Sequence, residues 1–495
     1  MKTNNQAGQF QTVMTQTEYK FKWQNKQVEA PLKIGNDPQL ASQAVFFTMK
    51  TFVGGVGKAV ITPPVGYHMG AWGLRKGRST GIHRDLFART VVIGARNNLF
   101  AFISLDICGM CKSVWTSLEK KIITISGIPS SNIIVNSTHN HTAPDFLTRL
   151  PVELQTYSEI LGDVVAGTVR TALESIRPVT LKYGTGDFPG WTVNRQYPNS
   201  DIDTELMVLS VENSDNSPLA KIINFACHGV SDGGQYLTWS GDFSGELSAS
   251  MEVSHPGTVA LFLQGAAGDI HPFDWWFGND NSNHFHSHDD THEFGTMLAK
   301  KSLEISHDSK EINTPYIKSL TSKITLPRRK VKWTVDEAER NHVALKQKLG
   351  EYTGSTWKNG TNTAMAAEMH PELYGNGTNE LRLAKNQTNP GIEITIKALR
   401  IGDIRISAHP GELFNELGSE IKNSSDSPIM VVSYCDDYVG YISTRAPYNM
   451  IDSTPIEDIV NMKKFRRYYG TTTSPFSAES GDLLVEESER INRLI

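Results

Sequence analysis

The sequence of 495 residues contains few cysteines, no long apolar run and no excess of basic charge. Its four cysteines are too few for the disulfide framework of small secreted domains. Its longest apolar runs are far shorter than the roughly 18 residues needed to cross a bilayer. The net charge of −5 gives no electrostatic basis for nucleic-acid binding, and no block of like charge indicates a membrane-surface patch. We therefore predict a globular protein that neither spans a membrane nor binds nucleic acid.

The amino-terminal segment also lacks an apolar signal region. This predicts a cytoplasmic protein, or a secreted or periplasmic one if a leader has been removed. Residues 1–50 are polar and weakly patterned, which predicts an arm that packs on the domain or stays mobile. The glycine-rich stretch 52–60 follows, but no capped helix comes after it, so it does not fit a nucleotide-binding fingerprint.

The composition is typical of one large globular domain or of two to three smaller ones, with 39% hydrophobic and 20% charged residues. Because no internal repeat or clean linker is present, we predict a single domain over 51–495. Its class is α/β (mixed α+β), with mixed β-sheets flanked by helices. The predicted helices cover about 112–126, 159–176, 243–253, 335–349 and 412–422, and the predicted strands about 179–186, 206–212, 219–227 and 315–332, with a hairpin over 392–408.

The most informative stretch is 131–146, SNIIVNSTHNHTAPDF. A buried-strand run is followed by His139 and His141, and residues i and i+2 of a strand point to the same face. Both imidazoles are therefore expected to leave the strand end toward one small volume. A single strand-end histidine is more often a satisfied polar residue, so this pair alone does not establish a metal site.

Two other segments have the same form, an apolar strand that ends in candidate ligands. One ends at His228, and the other ends near His409 and Glu412. Ligands collect outside the carboxyl ends of strands in α/β units. Neutral imidazoles and a carboxylate are the ligands expected of a hydrolytic zinc with one open position. The sequence therefore predicts a Zn²⁺ site.

Three further features carry weaker predictions. Cys108-Gly-Met-Cys111 has the redox C-x-x-C spacing without the surroundings of a thioredoxin site, so packing between a strand and a helix is the favoured interpretation. The stretch 284–292 holds four of the 15 histidines, and a solvated loop is favoured over a second metal site. Residues 350–390 are rich in Gly, Asn and Thr, which predicts a long surface excursion.

Several ordered motifs resemble the catalytic domain of the neutral/alkaline (non-lysosomal) ceramidases, zinc amidases that cleave N-acyl sphingosine. The likeness runs from about residue 52 to the C-terminus. The motifs are Ile61-Thr-Pro-Pro64, Gly81-Ile-His83, Ser137-Thr-His-Asn-His-Thr-Ala-Pro144, Asn194-Arg195, His228-Gly-Val-Ser231, Gln264-Gly-Ala-Ala-Gly-Asp-Ile270, Pro410-Gly-Glu412 and Gly440-Tyr-Ile-Ser-Thr444.

The resemblance implies a zinc ion held by His139, His228, Glu412 and Tyr441. It also implies that His141 hydrogen-bonds or transfers a proton beside the metal, and that Arg195 contacts substrate or oxyanion. His271 is a third candidate catalytic residue, standing in a turn where the family carries a serine. On this resemblance we expect the catalytic domain without the C-terminal β-sandwich of the family. The expected function is zinc-dependent hydrolysis of an N-acylated small molecule, lipid or amino sugar, with sphingolipid metabolism as the implied context.

Two alternatives stay open on the residues alone. One is an unrelated metallohydrolase with its H-x-H pair on the first strand of a (β/α)₈ barrel, although the hairpins argue against eightfold alternation. The other is a non-catalytic, metal-stabilised binding member of the family, in which His271 marks an altered pocket.

Overall fold

The computed structural model describes residues 51–71, 78–96, 98–147, 151–197, 199–272, 287–330, 334–340, 389–453 and 470–495, the backbone at 20–23 and 26–29, and the single positions 343, 383 and 385. The strands are β1 (Lys20–Trp23), β2 (Lys26–Glu29), β3 (Phe52–Val60), β4 (Gly81–Ile82), β5 (Phe87–Ala95), β6 (Asn98–Leu105), β7 (Gly109–Met110), β8 (Ile133–Ser137), β9 (Asp145–Phe146), β10 (Arg177–Asp187), β11 (Thr192–Asn194), β12 (Glu205–Asn213), β13 (Pro218–Phe225), β14 (Thr238–Trp239), β15 (Val259–Gln264), β16 (Ile270–Pro272), β17 (Lys310–Glu311), β18 (Ile317–Pro327), β19 (Gly391–Ile401), β20 (Ile404–Ala408), β21 (Glu412–Leu413), β22 (Ile429–Val432) and β23 (Tyr441–Ile442). The helices are α1 (Lys112–Ser126), α2 (Val152–Glu174), α3 (Asp242–Ser254), α4 (His288–His307), α5 (Asn415–Asn423), α6 (Arg445–Ser453) and α7 (Ser480–Arg493).

A nine-stranded mixed sheet forms the centre of the fold, in the order β15-β13-β12-β10-β3-β5-β6-β8 with β17 beside β10. Its inner neighbours are antiparallel, whereas the outer pairs β13/β15 and β6/β8 are parallel. The two parallel pairs are crossed over by α3 and α1. The sheet curls until its edge strands, β15 and β8, meet. There the backbone N–H of Gln264 donates to Asn136 Oδ1 at 3.0 Å.

A second sheet, β18-β19-β20-β22, packs against the first. The two share a core in which side chains such as Phe102 and Ile134 pack with Leu399, Ile406 and Val432. This architecture confirms the predicted mixed α/β class. The (β/α)₈-barrel alternative is wrong, because most neighbours in the described central sheet are antiparallel, whereas a barrel of that kind has parallel strands throughout.

Helix α2 explains the glycines of β3. A Cβ atom at Gly55 would lie 2.0 Å from the carbonyl oxygen of Ala172, and one at Gly57 would lie 2.0 Å from that of Thr168. Only glycine permits so close an approach between the strand and the helix backbone. These glycines therefore serve packing.

The observed ends of the helices show where the sequence predicted helix boundaries correctly and where it did not. Helix α1 agrees with its prediction and ends at Ser126, and the φ of +68° at the next residue, Gly127, suits a C-terminal glycine cap. Helix α2 begins at Val152, before the predicted start at 159, because buried Leu154 and Tyr157 extend the apolar stripe between polar neighbours. Helix α5 begins after Glu412, which belongs to β21.

Several predictions lie wholly or partly outside the described residues. The excursion over 350–390 is almost entirely outside them, and the predicted helix over 335–349 is described as far as residue 340, with one further position. Within the N-terminal segment, β1 and β2 pair antiparallel. No helix in the described parts of the chain combines the length and apolarity needed to span a bilayer.

Candidate metal centre

Two histidines and one glutamate converge at a single point. His139 Nε2 lies 3.0 Å from His228 Nε2, and Glu412 Oε2 lies 3.4 Å and 3.5 Å from these two nitrogens. Ligands about 2.1 Å from a tetrahedral zinc are about 3.4 Å apart. The three side chains therefore fit a zinc ion, and all three are buried.

The side chain of Gln264, at the end of β15, ties together the backbone that carries both histidines. Its Nε2 donates to the carbonyl oxygens of Thr138 at 3.2 Å and Cys227 at 2.6 Å. These are the residues immediately before His139 and His228. Gln264 therefore fixes the ends of two segments that are distant in sequence.

The tautomers of the two histidines also suit a cation. Nδ1 of His139 donates to the carbonyl oxygen of Cys108 at 2.7 Å, and Nδ1 of His228 donates to that of Ala267 at 2.9 Å. Since a carbonyl oxygen can only accept, both neutral rings carry their proton on Nδ1 and a lone pair on Nε2. Two lone pairs facing each other at 3.0 Å, beside a carboxylate oxygen, repel unless a cation lies between them.

The charge states of the group are those required for ligation. Burial alone would raise the pKa of Glu412, but His139, His228 and a hydrogen bond from Tyr438 outweigh it and lower the pKa to about 2. Tyr434 also donates to this carboxylate, at 3.3 Å. Burial, followed by the proximity of His139, holds the pKa of His228 well below its usual value. The site thus presents a carboxylate and a neutral imidazole, as metal binding requires.

His139 and His141 both reach the site, but not because they alternate along a strand as predicted. Strand β8 ends at Ser137, and His139 has a φ of +63°, in the left-handed region that few residues other than glycine adopt. His141 Nε2 nevertheless lies 3.3 Å from His139 Nε2, and its side chain is partly exposed. The explanation from strand alternation is therefore wrong, although the pair does converge.

Arg195 and His271 contact each other beside the three ligands. Arg195 directly follows β11, and His271 lies in β16, the strand that pairs with β11. Arg195 Nη2 donates to the Gly268 carbonyl at 2.6 Å, and its Nη1 lies 3.1 Å from His271 Nε2. Because a guanidinium has only donors, His271 accepts through Nε2 and carries its proton on Nδ1. Burial opposes the charge of Arg195, but Tyr441 and Glu412 raise its pKa. His271 therefore accepts a hydrogen bond from a buried cation, and its catalytic role stays a prediction.

Tyr441 lies beside Glu412 but contacts Arg195. The two residues face each other in the parallel pair β21/β23, and the Arg195 guanidinium lies 5.2 Å from the Tyr441 ring. The phenols that hydrogen-bond to the Glu412 carboxylate are those of Tyr434 and Tyr438, neither of which was predicted. Ligation of a metal by Tyr441 stays a prediction.

His409, a candidate from its strand end, does not join the three ligands. Its Nε2 lies 3.0 Å from Ser407 Oγ. Gly411, with a φ of +79°, turns the chain between His409 and Glu412. Only the glutamate of this segment therefore belongs to the group.

The described part of the histidine-rich stretch 284–292 is not a solvated loop. His288 and His292 lie in the first turns of α4, and each Nδ1 is 2.8 Å from a buried carboxylate, Asp232 and Glu246 respectively. The His288 ring also stacks on His83, with ring centres 3.6 Å apart. Neither belongs to a three-ligand group among the described residues, and His284 and His286 lie outside them.

An open cavity of about 770 Å³ lies near the group but is separate from it. Asn194, Asp269 and Asn415 are among its lining residues. None of the three converging ligands lines it. Burial raises the pKa of Asp269 to about 6, although it accepts hydrogen bonds from the Asn415 amide and Asn194.

Comparison with known proteins identifies relatives of this chain. Residues 52–283 match the family model described as neutral/alkaline non-lysosomal ceramidase, N-terminal. Neutral ceramidase B of Dictyostelium discoideum is 27% identical over 225 residues, which cover 39% of this chain and 31% of that protein. Neutral ceramidase 1 of Arabidopsis thaliana is 24% identical over 198 residues, covering 35% of this chain and 25% of that protein. The matched regions thus span about a third or less of these relatives.

Solved structures show the same fold. The neutral ceramidase of Pseudomonas aeruginosa superimposes with a TM-score of 0.65 and 17% identity, covering 89% of this chain and 74% of that one. A structure described as ceramidase complexed with C2 matches equally well, at 0.65 and 18% identity. The likeness therefore extends beyond the segment matched by sequence.

Proposed function

Because the chain belongs to the neutral/alkaline non-lysosomal ceramidase family, we propose that it is a zinc-dependent amide hydrolase that cleaves an N-acyl bond with metal-activated water. The observation that carries this proposal is the triangle of His139 Nε2, His228 Nε2 and Glu412 Oε2, with sides of 3.0, 3.4 and 3.5 Å. Tyr441 is the proposed fourth ligand.

A bound zinc ion supplies a Lewis acid that activates water at neutral pH and polarises an amide carbonyl. The surrounding residues prepare this chemistry. The two backbone carbonyls that hold the Nδ1 protons orient His139 and His228, and such partners typically improve metal affinity and activity 10- to 100-fold. The hydrogen bonds from Tyr434 and Tyr438 keep the Glu412 carboxylate in place.

Two further side chains have roles in the proposed reaction. His141 is partly exposed and its Nε2 lies beside the ligands, so it is suited to pass a proton to the leaving amine. Arg195 is buried and permanently charged, which suits it to stabilise negative charge on the carbonyl oxygen. His271 holds the guanidinium in place and acts through it.

The proposed substrate is an N-acylated lipid or a smaller N-acyl compound. The names of the relatives support the lipid, and the two solved structures support a shared fold. We further propose that residues 51–495 form one catalytic domain.

The proposal is tested with purified protein and a panel of N-acyl substrates, including N-acyl sphingosines of several chain lengths. Wild-type protein should contain one zinc and hydrolyse at least one class, and chelation should abolish turnover. H228A should lose both zinc and activity, whereas H141A should keep zinc and lose most activity.

Two results would contradict the proposal in different ways. Zinc-free protein with undiminished hydrolysis would refute metal dependence. Stoichiometric zinc with no turnover on any substrate would instead support a non-catalytic family member.

A further inference from the structure

We propose that the stacked imidazoles of His83 and His288 form an acid-sensitive latch that holds the loop over residues 229–237 closed beside the metal centre. The latch is closed when the pair carries at most one proton, and it opens when both rings are protonated. This goes beyond the proposed hydrolysis and does not depend on it. Neither histidine belongs to the group of three ligands, and neither has a part in the proposed reaction.

The two imidazole rings are parallel and in contact. Their centres lie 3.6 Å apart, and the angle between the ring planes is 5°. The ring of Tyr236 also stacks on His288, with centres 4.0 Å apart. Because two stacked rings cannot share one face, Tyr236 lies on the side of His288 away from His83. His288 is therefore held between a residue that follows β4 and a residue of the loop.

The loop also supplies the carboxylate that binds His288. Asp232 is fully buried, and its Oδ1 accepts hydrogen bonds from His288 Nδ1 at 2.8 Å and Thr291 Oγ1 at 2.9 Å. Its Oδ2 has no hydrogen-bond partner among the described residues. Burial opposes a charge on His288, but the hydrogen bond and the charge of Asp232 outweigh burial and raise the pKa of His288. His288 is therefore the ring that takes up the first proton.

A second proton, on His83, is unfavourable while the latch is closed. Burial and the charge of His288 lower the pKa of His83, although Asp232 and Glu246 act in the opposite direction. The neighbouring Arg84 adds another positive charge, and its Nη2 donates to Glu246 Oε2 at 2.7 Å. Two positively charged rings 3.6 Å apart repel each other, and separation of the rings relieves this repulsion.

The other titratable groups around the pair do not remove this repulsion. Asp242 lies behind Asp232, whose N–H donates to its Oδ2 at 2.9 Å. His292, on the next turn of α4, lies 2.8 Å from Glu246 through its Nδ1. Tyr236 is the remaining group, and it faces His288 with its ring.

Proton linkage gives the direction of the effect. Between pH 6.5 and the lowered pKa of His83, the open form binds a proton that the closed form does not, so the closed form loses population as the pH falls. For one proton the loss is at most tenfold per pH unit. The proton on His288 has the opposite effect, because its contact with Asp232 favours the closed form. The latch is therefore tightest when the pair holds one proton.

The loop connects the latch to the metal ligands. It begins directly after His228, and the carbonyl of its first residue, Gly229, accepts from the His141 N–H at 2.8 Å. A Cβ atom on Gly229 would lie 2.6 Å from the His139 carbonyl oxygen, so the loop packs on the backbone of the H-x-H pair. At its other end the loop runs into β14, which pairs with β4. Opening of the latch therefore loosens a segment on which the ligands pack.

The test is hydrogen–deuterium exchange of the full-length protein at pH 7.5, 6.5 and 5.5, corrected for the pH dependence of chemical exchange. In wild-type protein the protection of amides in 229–237 should fall by up to about tenfold per pH unit below pH 6.5. H83F keeps an aromatic ring in the stack without a titratable group, so its protection should fall less. The matched control is H307Q, which changes an exposed histidine at the other end of α4 and should behave as wild type.

A histidine side-chain NMR titration of wild-type protein decides the proposal without any variant. His83 should titrate below pH 6.5, the value of an exposed histidine, and His288 above it. A His83 midpoint at or above 6.5 overturns the proposal, as does an equal loss of protection in H83F and wild-type protein. Hydrolysis is not read here, so inactive protein would refute the proposed function and leave the latch standing.

Discussion

His409 should make the protein acid-labile through a single buried imidazole. Its side chain is fully buried, and its Nε2 lies 3.0 Å from Ser407 Oγ. Asn492 Nδ2 donates to that same hydroxyl at 3.0 Å, so the hydroxyl proton points toward the imidazole. Burial lowers the pKa of His409 to about 3. The folded protein therefore holds this ring neutral at pH values where an exposed histidine is charged.

The sign and size of the effect follow from proton linkage. Between pH 6.5 and about 3 the unfolded chain binds a proton at His409 that the folded chain does not, so stability falls as the pH falls. At about 1.4 kcal/mol per pH unit, the loss is about 2 kcal/mol by pH 5 and about 5 kcal/mol once the pH reaches 3.

The assay is urea denaturation of zinc-free wild-type and H409Q protein at pH 7.5 and pH 5. Wild-type protein should lose about 2 kcal/mol more free energy of unfolding than H409Q between the two pH values. H307Q, which changes an exposed histidine, is the matched control and should behave as wild type. Equal losses in wild-type and H409Q protein would refute the reasoning.

Three further predictions concern the site and the core. R195K removes the forked contacts of the guanidinium and should lower kcat by about 10²- to 10³-fold with zinc content unchanged; an unchanged kcat would exclude an oxyanion role. G268A places a Cβ 2.7 Å and 2.9 Å from two backbone carbonyl oxygens and should lower zinc affinity and the thermal midpoint, whereas G245A, with open space around it, should not. R89M leaves the buried Asp106 carboxylate without its 2.9 Å ion pair and should cost about 3–5 kcal/mol in urea denaturation; a loss below about 1 kcal/mol would contradict a buried, unpaired charge.

The ligand triangle was predictable because each ligand follows a recognisable strand. Apolar runs ending at polar side chains located His139, His228 and Glu412 among the candidates, together with His141 and His409. The family resemblance then implied which of these candidates bind the metal. What the sequence did not reveal is how the ends meet. His139 adopts a left-handed backbone conformation and contacts Cys108 and His228, which are 31 and 89 residues away. The side-chain amide of Gln264 joins Thr138 and Cys227, which are 126 and 37 residues away.

The two tyrosines that hydrogen-bond to Glu412 were not predicted from the sequence, for a physical reason. Tyr434 and Tyr438 lie 22 and 26 residues from Glu412 in the sequence. They follow strand β22, and the pattern of buried residues in that strand does not predict the direction of the loop after it. Tyr434 itself has a φ of +54°. A tyrosine-rich loop directly after a buried strand was the one available signal. His409 misled because its strand end looked equivalent to the others, yet its side chain packs into the core.

The most direct test of the central claim is an anomalous-scattering map of the crystallised protein at the zinc absorption edge. We expect one strong peak within bonding distance of His139 Nε2, His228 Nε2 and Glu412 Oε2. A zinc-replete crystal with no peak there, or with its peak bound by other side chains, would contradict the proposed metal centre and the hydrolysis inferred from it.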